Sequence, residues 1–107
     1  INRMKKLILI AGLLFGLNAT AQQFDLVQIN ADWNQSNNIS FKYVNGIPVK
    51  YARLEDQPPH FKATIKSVPT LILYVDGRLS YSWPAGIDLK CKATEQEVAA
   101  IINKFKN

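Results

Sequence analysis

The unbroken apolar run at residues 69–75, PTLILYV, limits the possible folds more than any other segment. Successive side chains of a strand point to opposite faces of a sheet, so this run indicates a strand that is covered on both faces. Asp76-Gly77 follows at once and favours a two-residue hairpin loop. In the next segment, LSYSW, we expect Leu79, Tyr81 and Trp83 to share one face of a second strand.

The remaining segments predict an α/β protein. Residues 24–31, FDLVQINA, and residues 49–55 have strand-like patterns, and residues 56–65 have the prolines and N-cap of a short helix. A capping box at Thr94 and Glu97 starts a final helix with one apolar stripe: Val98, Ile101, Ile102 and Phe105. The element order predicts an α/β sandwich, a mixed sheet of about four strands with flanking helices.

Two structures compete for the segment between the first two predicted strands. Asn45-Gly46 lies between strand-like flanks and favours a tight hairpin. Alternatively, Gly46 caps a short helix over about residues 35–44, and Pro48 starts the next strand. Periodicity does not decide between the two structures over so few residues. The local pattern slightly favours the hairpin.

Residues 1–21 have the three parts of a secretory signal peptide. Two lysines, an apolar run and Ala19-Thr20-Ala21 follow Met4, with residues 1–3 upstream of it. The run is shorter than the roughly 20 apolar residues that span a bilayer. We expect cleavage after Ala21, leaving one secreted or periplasmic domain at 22–107 that is not held in the membrane. The alternative is a buried N-terminal helix.

Charge and composition argue against several classes of function. The formal net charge is +5, but without Arg3, Lys5 and Lys6 it is +2, from 10 basic and 8 acidic side chains. The basic residues are scattered singly, so we expect no nucleic-acid partner. Cys91 and His60 are the only cysteine and histidine, so the sequence predicts no internal disulfide, no metal site and no cofactor.

Three segments resemble the thioredoxin family. VQINADWNQSN is similar to the strand and active-site turn in which Trp-Cys-Gly-Pro-Cys follows a buried strand. IKSVPTLILYVDGR is similar to the Ile-x-x-Ile-Pro-Thr signature with its hairpin, and LEDQPPHFKATI to the short helix before it. The likeness covers most of residues 24–106 and implies a minimal thioredoxin-like sandwich. It also implies a helix after the turn, so we prefer the short helix over residues 35–44.

The sequence departs from this family at the reactive positions. The cysteine pair aligns with Asn34 and Asn37, and the buried aspartate of the preceding strand aligns with Gln28. An amide is neither nucleophilic nor redox-active, so dithiol exchange is lost. We therefore predict a redox-inactive domain without catalytic residues, leaning away from an enzyme. Asn34 and Asn37 are expected to cap the helix that follows.

The resemblance implies a binding surface for an unidentified protein or peptide. Pro69 would follow a cis bond, and Val68 would offer main-chain hydrogen bonds beside an apolar rim of Trp33 and Trp83. A simpler alternative is that Pro69 shapes a turn, Trp33 packs over the sheet, and the domain is only a scaffold.

Cys91 supports a different hypothesis, that of a weak thiol–disulfide oxidoreductase. Lys90 and Lys92 flank it, and nearby positive charge favours the thiolate. The same thiol could link two chains as a covalent dimer. The simpler interpretation is that Cys91 packs between a strand and a helix.

Overall fold

The computed structural model describes residues 21–107, so the predicted signal peptide lies outside the described residues except for Ala21. The described residues form one five-stranded sheet in the order β2-β3-β1-β4-β5. Its strands are β1 Phe24–Asn30, β2 Tyr43–Val44, β3 Ile47–Arg53, β4 Thr70–Val75 and β5 Arg78–Trp83. β1 and β3 are parallel and the other neighbours antiparallel. The α/β class with a mixed sheet is confirmed, with five strands rather than about four.

The predicted short helix over residues 35–44 is wrong. A 3₁₀ helix spans Asp32–Asn37, and the chain then runs into the β2–β3 hairpin. Asn45 and Gly46 have φ values of 53° and 79°, as a two-residue primed turn requires. The Asn-Gly pattern was the better guide because few residues adopt two successive positive φ angles. A 3₁₀ helix is rarely long, because its hydrogen bonds have poorer geometry than those of an α-helix.

Helices are few in the described chain. A second 3₁₀ helix spans Leu54–Asp56, and α1 is a single turn, Pro59–Lys62, shorter than the helix expected over 56–65. The longest is α2, Glu95–Phe105, and it has the predicted capping box. Thr94 Oγ1 accepts a 3.1 Å hydrogen bond from the Glu97 amide, and a Glu97 carboxylate oxygen accepts one of 2.9 Å from the Thr94 amide. Within residues 21–107, no helix has the length and apolarity needed to cross a bilayer.

Apolar layers cover both faces of the central strands. One face packs against α2 in a fully buried cluster: Leu26, Val44, Leu71, Leu73, Val98 and Ile102. The buried cluster on the other face is smaller. It contains Val27, Ile29 and Ile72, and Phe61 and Ile65 from the segment around α1 cover it. The apolar run of β4 therefore contributes to two cores, as its sequence indicates.

β5 contains a bulge that changes the expected faces. The register with β4 shifts between Leu73 and Tyr74, so that Tyr81 pairs with Leu73 whereas Leu79 pairs with Tyr74. Directly opposed residues of antiparallel strands point to the same face. Leu79 therefore lies on the opposite face from Tyr81, and the prediction of a shared face is wrong because one extra residue reverses the alternation.

Candidate functional site

The Trp33 turn and the Val68–Pro69 segment meet at one end of the sheet. The antiparallel pairing of Ile29 with Thr70 places the chain leaving β1 beside the chain entering β4. The Asn34 side-chain nitrogen lies 3.2 Å from the Val68 carbonyl oxygen. The Val68–Pro69 peptide bond is cis, the geometry that the resemblance implied. The sequence thus brings two distant segments together, 34 residues apart.

Asn34 is the centre of a buried amide network. It is 3 % exposed, and its Nδ2 donates to Asn30 Oδ1 at 3.1 Å and to the carbonyl oxygens of Val68 and Leu89, both at 3.2 Å. Its Oδ1 accepts a 2.8 Å bond from Asn37 Nδ2. An amide has two N–H groups, so two acceptors share one hydrogen. The network joins three segments of the chain.

The predicted capping role of these asparagines is wrong. The 3₁₀ helix has Ala31 as its N-cap residue and no side-chain cap hydrogen bond. Asn34 and Asn37 lie inside the helix, where their side chains bond to each other. Helix-capping propensity describes only local partners, whereas Asn34 finds partners far along the chain.

The outer part of the network adds Asn30 and Asn38, which the sequence did not mark as site residues, and Gln28 lies beside it. Asn30 Nδ2 donates to the Asn34 carbonyl oxygen at 3.0 Å and to Asn38 Oδ1. Gln28, at the position of the family's aspartate, accepts a 2.7 Å hydrogen bond from the Ile39 amide. The density of asparagines in NADWNQSNN was the available signal. These neutral amides neither ionise near neutral pH nor act as nucleophiles, so they offer no acid–base or thiol chemistry.

An open apolar groove of about 700 Å³ lies beside this network, and we call it the Trp33 groove. Its lining residues come from three parts of the chain: Trp33 and Leu54, the 65–68 segment, and the 84–89 loop. Trp33 is 68 % exposed and Ile87 is fully exposed. Lys66 is the only charged residue among the described residues that line it. The groove therefore offers mainly apolar contacts.

The four predicted binding residues do not all reach this groove. Trp33 and Val68 line it, whereas Pro69 is fully buried beneath the surface. Trp83 packs against the core on the α2 side of the sheet, with its ring centroid 4.8 Å from that of Tyr81. The 84–89 loop also lines the groove, although nothing in its sequence marked it as part of a site.

Ion pairs attach the Trp33 turn to the end of β3. Arg53 Nε donates to Asp32 at 2.9 Å and Nη1 to Asp56 at 3.0 Å. The Asp32 amide donates to the Glu55 carboxylate at 2.9 Å. The hydrogen bonds to Asp32 raise the pKa of the Arg53 guanidinium above its usual value, so this pair stays charged. This ion pair orients Asp32, which directly precedes Trp33 in the chain.

Cys91 lies away from the Trp33 groove. Its thiol donates to the Trp83 carbonyl oxygen at 3.4 Å and lines a different open cleft, of about 520 Å³. Burial raises the pKa of the Cys91 thiol, the opposite of the direction expected from its neighbouring lysines. One of these, Lys92, is paired with Asp88 at 2.9 Å.

The described chain offers no candidate metal centre. Within residues 21–107, histidine, cysteine and acidic side chains form no group of three that could hold a metal ion. No protein-family model matches the sequence, and no curated protein matches it either.

Proposed function

We propose that this protein is an exported, redox-inactive member of the thioredoxin-like class that binds a partner protein through an extended apolar segment in the Trp33 groove. Support for the class comes from the parallel β1–β3 pair, the β4–β5 hairpin and the meeting of the Trp33 turn with the Val68–Pro69 bond. The amides at positions 34 and 37 support the absence of dithiol chemistry.

The observation that carries the binding proposal is the exposure of two large apolar side chains, Trp33 and Ile87, that line the same groove. Neither side chain contributes to the two buried cores. Large apolar side chains around a concave surface are typical of interaction sites, and tryptophan often dominates their energetics.

The orientation of Val68 indicates how a partner would be recognised. Its carbonyl oxygen already accepts a hydrogen bond from the buried Asn34 amide. Val68 is also only 5 % exposed, so recognition through apolar side chains is favoured over main-chain pairing with that carbonyl, the mode the sequence suggested.

A selected peptide tests this function. The tightest binder from a displayed library of random heptapeptides would be titrated calorimetrically against the mature domain. We expect Trp33→Ala to weaken binding by about tenfold or more, since truncating a tryptophan at the centre of an interface often removes about 2 kcal/mol of binding free energy, and about 1.4 kcal/mol is tenfold. Ile87→Ser should weaken it similarly.

Leu79→Ser is the matched control, because Leu79 is 55 % exposed and does not line the groove. This variant should bind like the wild type. Failure to select any peptide, or equal losses in Trp33→Ala and Leu79→Ser, would contradict the proposal.

The alternative thiol–disulfide oxidoreductase receives no support from the raised pKa of Cys91, because only the thiolate attacks a disulfide. Insulin reduction with dithiothreitol separates the two functions. The binding proposal predicts no turnover above background in the wild type. Turnover that Cys91→Ser abolishes would favour the enzyme.

A further inference from the structure

The 84–89 loop, which lines the Trp33 groove, contains a strained backbone position. Leu89 has a φ of 62°, in the left-handed region that ordinarily suits glycine, and a leucine is disfavoured there. Within this part of the chain, the Asp88 carboxylate accepts a 3.2 Å hydrogen bond from the Lys90 amide and pairs with Lys92 at 2.9 Å. The loop's own main-chain bonds are from the Leu89 amide to the Gly86 carbonyl at 3.0 Å and from the Gly86 amide to the Lys90 carbonyl at 3.2 Å.

Two side chains attach this loop to the rest of the site. Ser67 Oγ donates to the Ala85 carbonyl oxygen at 2.8 Å, near the start of the loop. Asn34 Nδ2 donates to the Leu89 carbonyl oxygen at its end. Ile87 projects into solvent between the two attachment points. The position of Ile87 relative to Trp33 therefore depends on Ser67 and Asn34.

We propose that Asn34 is the positioning residue of the Trp33 groove. Its single amide nitrogen donates to Val68 in the 65–68 segment and to Leu89 in the 84–89 loop, so it ties the loop to that segment. The identity of the ligand in this inference rests on the proposed function. The effect of Asn34 on the loop is tested in the free protein, without a ligand.

Only an amide side chain of this length suits the role. A thiol or hydroxyl has one hydrogen to donate and a carboxylate has none, whereas a primary amide has two. The bond to Val68 is buried and the bond to Leu89 is partly buried, so solvent cannot fully replace the amide if it is removed. Leaving buried acceptors unpaired is costly, which makes the loop sensitive to this one side chain.

Hydrogen exchange measured by NMR tests the positioning without any ligand. Asn34→Leu keeps the approximate size but removes both donors. We expect the Leu89 and Gly86 amides to exchange about tenfold faster relative to the core amides of Leu26 and Leu73, because the loop opens locally. Should Asn34→Leu fail to fold, Asn34→Ser serves the same comparison, because its hydroxyl is too short to bond both carbonyls.

Asn37→Ala is the matched control. It removes a bond to the Asn34 acceptor and leaves the bonds to Val68 and Leu89 in place. Its loop amides should keep their wild-type exchange rates relative to the core. Equal acceleration in the Asn37 and Asn34 variants, or unchanged exchange at Leu89 and Gly86 in the latter, would overturn the inference.

Binding of the selected heptapeptide gives the second readout. With the groove no longer pre-organised, Asn34→Leu should raise the Kd about tenfold, while Asn37→Ala should not change it. Faster loop exchange with an unchanged Kd would overturn the positioning role. If the wild type selects no peptide, the proposed function fails, and the exchange rates alone decide whether Asn34 positions the loop.

Discussion

At the scale of single residues, the side-chain amide of Asn34 shows how one buried group can join distant parts of a chain. Asn34 is a buried double donor that bonds to Val68 and Leu89. Those partners lie 34 and 55 residues further along the chain. The sequence could identify Asn34 as unreactive, but its partners depend on the tertiary fold.

Cys91 carries a prediction at the same scale. Burial raises the pKa of its thiol above the ordinary value of 9.0, so the thiolate fraction at pH 7 is below about 1 %. Alkylation by iodoacetamide should therefore be slow at pH 7, and its rate should still be rising at pH 9. The measurement is the alkylation rate from pH 6 to 10.

The control is the same thiol in the protein unfolded in urea. Its alkylation rate should level off at a lower pH than that of the native protein. Lys90→Gln and Lys92→Gln should have little effect on the native rate, because burial is the main cause of the shift. A native rate that levels off below pH 8 would contradict this account and support the thiol enzyme.

At the scale of elements, segments with specific local signals were predictable and segments set by distant pairing were not. The capping box of α2 and the Asp76-Gly77 hairpin formed where the sequence placed them. The hairpin at Asn45-Gly46 was also indicated locally, but the family resemblance suggested a helix instead. The β5 bulge escaped prediction because the LSYSW pattern carries no mark of the extra residue.

The β2–β3 turn provides a test at this scale. A Cβ added at Gly46 would meet no atom within 4 Å, so only the φ of 79° opposes a side chain. We expect Gly46→Ala to lower the free energy of unfolding by about 1 kcal/mol in urea denaturation.

Gly86→Ala is the comparison, because its φ lies outside the left-handed region and the new Cβ would meet only the movable Asp88 carboxylate, at 3.3 Å. It should be less destabilising than Gly46→Ala. Equal losses of stability would show that the turn conformation is not what Gly46 supplies.

At the scale of the whole molecule, two ionisable side chains pack partly buried against the two cores. Burial raises the pKa of the Tyr74 phenol as well as that of the Cys91 thiol. Folding favours the neutral form of each group. The resulting contribution to the free energy of unfolding is complete at pH values below the unfolded-state pKa, and it is lost as pH rises through the folded-state pKa. The ordinary pKa values, 9.0 for a cysteine thiol and 10.0 for a tyrosine phenol, place this loss of stability above pH 9.

Calorimetric unfolding between pH 7 and 11 should therefore show a Tm that declines from about pH 9 upward. Tyr74→Phe should make the decline shallower, whereas Tyr43→Phe, at an exposed tyrosine, should leave it unchanged. A Tm that rises with pH across this range would contradict the assignment of burial as the cause.

The proposed function depends on one feature of the whole molecule: the two segments brought together by the sheet line one apolar groove, which we propose binds a partner. The most direct measurement follows the two tryptophan indole N–H resonances in ¹H–¹⁵N spectra while the selected heptapeptide is added. Trp33 lines the groove and Trp83 packs against the core on the α2 side. The account predicts that the Trp33 indole resonance shifts with peptide concentration and the Trp83 resonance does not. A shift at Trp83 with none at Trp33 would contradict it.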